Sequence, residues 1–440
     1  MHRIKPTNKS IIVKAPNKVG LSHRPRYPNV SIGTASHAHS PLLSARYYDK
    51  SRQAHPQATF TSVDFEGPVK PAYIFLNYPG LLTKDEEKEI MKFREIYYIR
   101  KSKPSQKFNQ QSGEFYHYVK DDHIAYRYQQ EHVIGKGSFG SVLQCFDHKD
   151  RKRVAIKLLN YKPKLHSQII FELDLLKSLQ AGNNESENNI IKFIDSFEFR
   201  NFFCIVMELA SFDLYTVLKR QHFRGLSGKK LQLVARDTAV ALKYMHNKGI
   251  IHCDIKPENI LFSSIVMDKA KVIDFGCSCY VGKLMFSYIQ SRYYRAPEVV
   301  FGFEYGTEID IWSLGCVLCE LVTGQPIFPA EDEYELMQML VAVLGMPPKR
   351  MIEKAPRSHH YFDKTTFQPK PHKNSRGKVH EPCSSSITKE TRIVDRELVD
   401  LVEKCLRWEP KDRLNAEQFL NHPWIKKQFN DDMSIPMSAR

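Results

Sequence analysis

Two short stretches hold side chains suited to moving a phosphoryl group. Asp254, Lys256 and Asn259 lie in His252-Cys253-Asp254-Ile255-Lys256-Pro257-Glu258-Asn259, and Asp274 opens Asp274-Phe275-Gly276. Phosphoryl transfer needs an acceptor for the attacking hydroxyl's proton, oxygen ligands for a divalent cation and a positive charge near the moving phosphate. Asp254 suits the first role. Asn259 and Asp274 offer the hard oxygens that Mg²⁺ prefers, with Mn²⁺ as an alternative. Lys256 supplies the charge.

A nucleotide would have to be held above these groups. Gly135-Lys136-Gly137-Ser138-Phe139-Gly140-Ser141-Val142 carries three glycines that let a β-hairpin lie flat over a triphosphate, with backbone N–H groups facing its oxygens. Dinucleotide-binding turns share those glycines but open directly into a helix. Here Val142-Leu143-Gln144-Cys145 continues as strand, which excludes a nicotinamide-dependent dehydrogenase. Val154-Ala155-Ile156-Lys157 then places a lysine on an apolar strand, costly unless an anion meets it. Its expected partners are the nucleotide phosphates and Glu172, on a helix whose apolar residues Ile169, Ile170, Leu173, Leu176 and Leu179 keep helical spacing.

Strand-like runs (Glu131 to Val142, Arg153 to Leu159, Ile190 to Phe197, Phe202 to Glu208) come first, and helical patterns such as Leu231 to Asn247 follow. Strands segregated from helices predict an α+β fold of two lobes joined near residue 209. The expected organisation is a basic, flexible tail over 1–70, an accessory segment over 71–127 and a catalytic domain over 128–424, split into 128–208 and 209–424. A polar insert spans about 350–395, and a short tail covers 425–440. In the accessory segment, Thr83 reads as the N-cap of a helix reaching about Arg94, followed by strand-like Ile96-Tyr97-Tyr98-Ile99. The 440 residues are 42% apolar and 26% charged, which excludes a mostly disordered chain. No apolar run approaches the roughly 20 residues of a membrane helix, and no secretory signal is visible. The formal charge of +16 gathers in the tail: over 1–60, Asp49 is the single acid against ten basic residues. A nucleic-acid module would rest on that charge alone.

Ala296-Pro297-Glu298 and Asp310-Ile311-Trp312-Ser313-Leu314-Gly315 complete six motifs in one order. Together they resemble a eukaryotic protein kinase over about Tyr128 to Trp424. By that resemblance Glu298 pairs with Arg413, Asp310 braces the catalytic loop, and Asp254, Lys256, Asn259 and Asp274 form the catalytic and metal-binding set. Residues 134 to 142 cover ATP, Lys157, paired with Glu172, holds its phosphates, and Glu208 and Leu209 present backbone groups to adenine. Ile134, Val142, Ala155 and Leu261 sandwich that base. A pseudokinase scaffold is the rival reading, and the intact Lys157, Asp254, Asn259 and Asp274 favour catalysis.

The finer residues resemble the dual-specificity tyrosine-regulated kinases of the CMGC group. These residues are the His252-Cys253-Asp254 form, Cys277-Ser278-Cys279-Tyr280 after Gly276, Tyr288-Ile289-Gln290-Ser291-Arg292-Tyr293-Tyr294-Arg295, and a homology box at Asp122-His123-Ile124-Ala125-Tyr126-Arg127-Tyr128. Leu82 to Tyr98 resembles the accessory segment of class II members. The resemblance implies phosphorylation of Ser/Thr on protein substrates and of Tyr288 on the chain itself during maturation. With no arginine at 253, Arg292 and Arg295 are the cations expected to meet that phosphate. Phe286 replaces the first tyrosine of the usual pair, and Met207 stands where a phenylalanine gatekeeper is usual. Glu258 and Asp213 are the acids expected to face an arginine upstream of the target residue, a preference weakened by Thr216. The chain is expected to be a monomer, cytoplasmic with nuclear entry open, binding neither membrane nor nucleic acid. Nine scattered cysteines read as reduced thiols. Cys316-Val317-Leu318-Cys319 lies in an apolar helix and reads as buried structure. Cys253 and Cys279 flank the two loops, and an inhibitory disulfide between them is the alternative to reduced thiols there.

Overall fold

The computed structural model describes residues 65, 67–101, 116–137, 140–160, 166–181, 188–226, 228–284 and 286–429. The tail over 1–64, the tip residues Ser138 and Phe139, and residues 430–440 lie outside them.

An antiparallel six-stranded sheet forms the first lobe: β1 (His123–Ile124), β2 (Tyr128–Gly137), β3 (Gly140–Asp147), β4 (Lys152–Asn160), β5 (Phe193–Phe199) and β6 (Phe202–Glu208), in the order β1-β2-β3-β4-β6-β5. The strand-like run Glu131 to Val142 is the hairpin that the glycine string predicts. Its pairing closes at Gly137 opposite Gly140, because the glycine string turns the chain back. Gly140 is required where it stands: a Cβ there would lie 2.0 Å from the Leu158 carbonyl oxygen on β4. Burial alternates along β3, so Ser141 turns inward with Leu143 and Cys145 while Val142 takes the other face. The Ser141 hydroxyl is therefore directed away from the nucleotide side, and this residue offers the cleft only its backbone.

The helix His166–Gln180 buries Ile169, Leu173, Leu175, Leu176 and Leu179 in the same core as the second lobe. Ile170, expected on that face, is exposed because it falls one position off the stripe. In the second lobe, Gly228–Asn247, Glu308–Thr323 and Arg396–Cys405 pack together. Gly315 permits the close crossing of the last two, since a Cβ there would meet that of Cys405 at 2.7 Å. The stretch 350–395 is polar in composition yet anchored: Tyr361, Phe362, Ile387 and Ile393 are buried, so it is fastened to the lobe at a few apolar points. No helix among the described residues is long and apolar enough to cross a membrane.

The accessory segment docks on the outer edge of the sheet. Thr83 caps the helix Lys84–Ile90 in a reciprocal capping box with Glu86. That helix stops four residues short of Arg94, where tight turns bring Phe93 against Tyr126. Ile96 bridges Val69, and the N–H groups of Tyr97 and Tyr98 both donate to the Tyr126 carbonyl. Arg100 joins buried Glu86 and Asp122, and Arg200 at the β5–β6 turn pairs with Glu89. Burial alone would raise the Glu86 carboxyl, but bonds from His123, Arg100 and the Thr83 amide hold it well below the usual range. Glu86, Asp122 and His123 cluster closely enough to suggest a metal site, but Arg100 already supplies their positive charge.

Candidate active site

β4 and the His166–Gln180 helix bring Lys157 and Glu172 together: Nζ lies 2.6 Å from Oε1 of Glu172 and 2.9 Å from Oδ1 of Asp274. Burial disfavours the ammonium, yet the two carboxylates overcome this and push the lysine above its ordinary range. Lys157 in turn holds the Asp274 carboxyl down, to about 2. Asp274 adopts a left-handed φ of 63°, and Phe275 behind it is buried edge-on against His252. Gln168 donates to the Gly276 carbonyl, so the same helix that carries Glu172 also fixes the loop after Asp274.

Asp254 is held from several sides. Its Oδ1 accepts from the Ser291 hydroxyl at 2.8 Å, and Oδ2 accepts from Lys256 Nζ at 2.5 Å and Asn259 Nδ2 at 3.2 Å. Beneath the loop, Asp310 accepts the backbone N–H groups of His252 and Cys253, as expected of a brace. Cys253 sits at φ 66°, a left-handed conformation that this carboxylate stabilises. The amide of Asn259 is committed to Asp254, which leaves Oδ1 as its ligand atom, and Asp274 keeps Oδ2 beyond Lys157. These two oxygens fit a hard divalent cation.

Among the other residues expected at the nucleotide, Ala155 stands in register with Met207, which also faces Phe193, while Leu261 bridges Asp213 and Ile134 is exposed. The Glu208 N–H already donates to the Lys192 carbonyl, so Glu208 offers the cleft a carbonyl and no donor. Its carboxylate pairs with Lys271.

Residues 128–425 match the protein kinase domain family. The chain is 40% identical to human dual specificity tyrosine-phosphorylation-regulated kinase 4, over 80% of this chain and 69% of that protein. It is 36% identical to kinase 2 of the same series from Drosophila melanogaster, over 82% of this chain and 51% of the relative. The corresponding figures for mouse kinase 3 are 37%, 82% and 66%. The chain belongs to the dual-specificity tyrosine-phosphorylation-regulated kinase family. A crystal structure of a kinase domain superposes with a TM-score of 0.66 at 25% identity, covering 71% of this chain and 99% of that one. The molecule is thus a bilobal α+β protein kinase, and its domain implies ATP and a divalent cation. It spans about two thirds of the human and mouse relatives and half of the fly protein.

Glu298 and Arg413 form the expected tie, a buried two-pronged pair at 2.7 and 2.6 Å. Tyr288 is 44% exposed, and the Arg295 guanidinium lies 3.9 Å from its ring centroid. Arg295 also donates to the carbonyls of Ile289 and Gln290 and pairs with Glu333. Arg292 is oriented differently from the simple expectation. Its Nη1 donates to the carbonyls of Ala330 and Glu331, and its buried Nε–H has no partner among the described residues. Arg357, from the polar insert, shares Glu333 with Arg295.

Two site residues escaped the sequence reading. Ser291 reaches Asp254 across 37 residues of chain, and Gln290 links the carbonyl of Ile309, the Ser313 hydroxyl and the Ala296 N–H. Neither carries a local signal, because both act only after the segment folds back. Asp213 caps the helix Leu214–Arg220, accepting from the Thr216 N–H at 2.8 Å and its hydroxyl at 2.6 Å. The Sγ atoms of Cys253 and Cys279 lie 3.6 Å apart as free thiols. Burial, then the contact between them, pushes the Cys253 thiol well above its usual range. Cys316 and Cys319 are buried in the Glu308–Thr323 helix.

Proposed function

We propose that this kinase transfers the γ-phosphoryl group of ATP to Ser and Thr hydroxyls of protein substrates and, during maturation, to its own Tyr288. The observation that carries the reading is the arrangement around Asp254, which Ser291, Lys256 and Asn259 hold in one orientation. Asp254 accepts the proton of the substrate hydroxyl as its oxygen attacks phosphorus. Lys256 keeps positive charge beside the transferring group, and Lys157, oriented by Glu172, steadies the phosphates that stay behind. Asn259 and Asp274 would hold Mg²⁺, which neutralises phosphate charge when bound. The glycine hairpin would present the backbone of Ile134 to Gly137 and of Gly140 to Val142 to the triphosphate, with Ala155 and Leu261 packing on the base beside the Glu208–Leu209 backbone.

A preference for arginine upstream of the target would rest on the two acids Glu258 and Asp213, the latter also accepting from Thr216 in its helix cap. Phosphotyrosine at 288 would add about −1.5 to −2 charge beside Arg295, whose guanidinium lies over the Tyr288 ring. The docked segment around Lys84–Ile90 supports a class II assignment. Free thiols suit a reducing compartment, the cytoplasm or nucleus.

The test is Asp254→Asn, which preserves shape and removes the base. Transfer to a basic Ser/Thr peptide should fall by about 10²–10⁴-fold at an unchanged melting temperature. Undiminished transfer sinks the catalytic assignment. Mass spectrometry of the active wild-type protein should find phosphate on Tyr288; an unmodified tyrosine in fully active enzyme refutes the maturation reading.

A further inference from the structure

Away from the nucleotide cleft, the second lobe contains a cavity of about 450 Å³. Its floor is apolar, built from Cys319 and Val322 at the end of the Glu308–Thr323 helix, Ile327 in the loop beyond, and Met339. Its rim carries charge. Arg224 comes from the turn before the Gly228–Asn247 helix, and Lys378 and Arg392 come from the polar insert. All three are exposed, and none has a carboxylate within ion-pair distance among the described residues. Glu390 is the one acid in the lining, and its carboxylate accepts from the Ser385 hydroxyl. Three cations against one carboxylate leave a surplus of two positive charges. Arg392 ends the helix Ile387–Thr391 at φ 56°, a left-handed position that glycine would take at less cost.

Unpaired cations lining one cavity repel one another, and an anion joining them there relieves that repulsion. A phosphomonoester carries about −1.5 to −2 charge at neutral pH and three acceptor oxygens, matching both the surplus and the forked donors of two guanidiniums. A carboxylate offers half that charge. The cavity also adjoins the activation segment. Its lining loop, Gln325 to Pro329, runs straight into Ala330 and Glu331, whose carbonyls accept from Arg292.

We propose that this cavity docks a phosphoserine or phosphothreonine already present on the protein substrate, with a neighbouring apolar side chain on the Val322–Ile327 floor. The kinase would thereby favour substrates that another kinase has modified first. This deepens the reading of the chain as a protein kinase and rests on it for its biological use, but the binding itself requires no catalysis.

The full chain is titrated, without ATP, into a short fluorescein-labelled peptide with one phosphoserine between leucines, and anisotropy is read. Peptides with serine or glutamate at that position serve as comparison. The phosphopeptide should bind at least about tenfold tighter than either, roughly 1.4 kcal/mol, and a non-hydrolysable ATP analogue should not displace it. Arg224→Gln/Arg392→Gln should weaken binding about tenfold or more, and Lys378→Gln less, both at wild-type melting temperature. On a substrate carrying such a phosphoserine, the double variant should raise KM and leave kcat unchanged. Equal binding of the glutamate or serine peptide, displacement by nucleotide, or full affinity in the double variant overturns the proposal. Tight, variant-sensitive binding by a protein without transferase activity would uphold the site and defeat only the catalytic reading.

Discussion

Asp274 shows how one neighbour sets a side chain's chemistry. Lys157 holds its carboxyl down to about 2, so the carboxylate persists wherever the protein is folded. A depressed folded-state value contributes stability that is complete above the unfolded value, near 3.8, and lost as pH falls through about 2. The side chain is 46% exposed, so solvent screening keeps that contribution small. Urea midpoints measured between pH 5 and about 2 should fall less steeply in Asp274→Asn than in wild type. Parallel slopes would show that the Lys157 charge acts chiefly on Glu172. Ser291, Lys256 and Asn259 perform the analogous service for Asp254, fixing its orientation through bonds from three separate points in the chain.

Among the elements, the accessory segment is fastened both by an apolar cluster, Ile74, Leu82, Ile90, Ile96 and Ile99 with Tyr126, and by buried charge. Glu86 and Asp122 are each 2% exposed and meet the Arg100 guanidinium between them. Removing one partner from such a group strands the others, at a cost of about 3–5 kcal/mol. Arg100→Met should therefore lower the urea midpoint sharply. Adding Glu86→Gln and Asp122→Asn to it should recover part of the loss, because no buried charge is then left alone. A mild effect of Arg100→Met alone would mean that the segment detaches without disturbing the sheet. The Thr83 cap and the acidic first turn were legible from spacing, since capping is local. The stop at Ile90 was not, since it follows from Phe93 meeting Tyr126, thirty-three positions on.

Across the whole molecule, the activation segment is tied to the late helices by Glu298 and Arg413, both nearly inaccessible. Arg413 also donates to the carbonyls of Arg407 and Trp408 and lies over the Trp312 ring. Arg413→Met should cost about 3–5 kcal/mol of stability and lower activity together with melting temperature, whereas Glu298→Gln, which leaves Arg413 its carbonyl partners, should cost less. The reverse ranking would assign the tie to the glutamate's other surroundings.

The family was determined by the sequence alone, and so was the choice of Lys157, Glu172, Asp254, Asn259 and Asp274 as the residues expected at the site. Glycine spacing, the lone lysine on an apolar strand and the two Asp-containing motifs each express a chemical demand within a few residues of chain. The lobed order of strands and helices was legible because hydrophobic period is likewise a local property. Tertiary structure decided what depends on chain segments far apart. It paired Ser291 with Asp254, took Asp213 for a helix cap, turned Ser141 inward, directed Arg292 to the Ala330 and Glu331 carbonyls and set three cations around one cavity. In each case several polar partners were chemically acceptable, and only the packing of elements determines which lies within bonding distance.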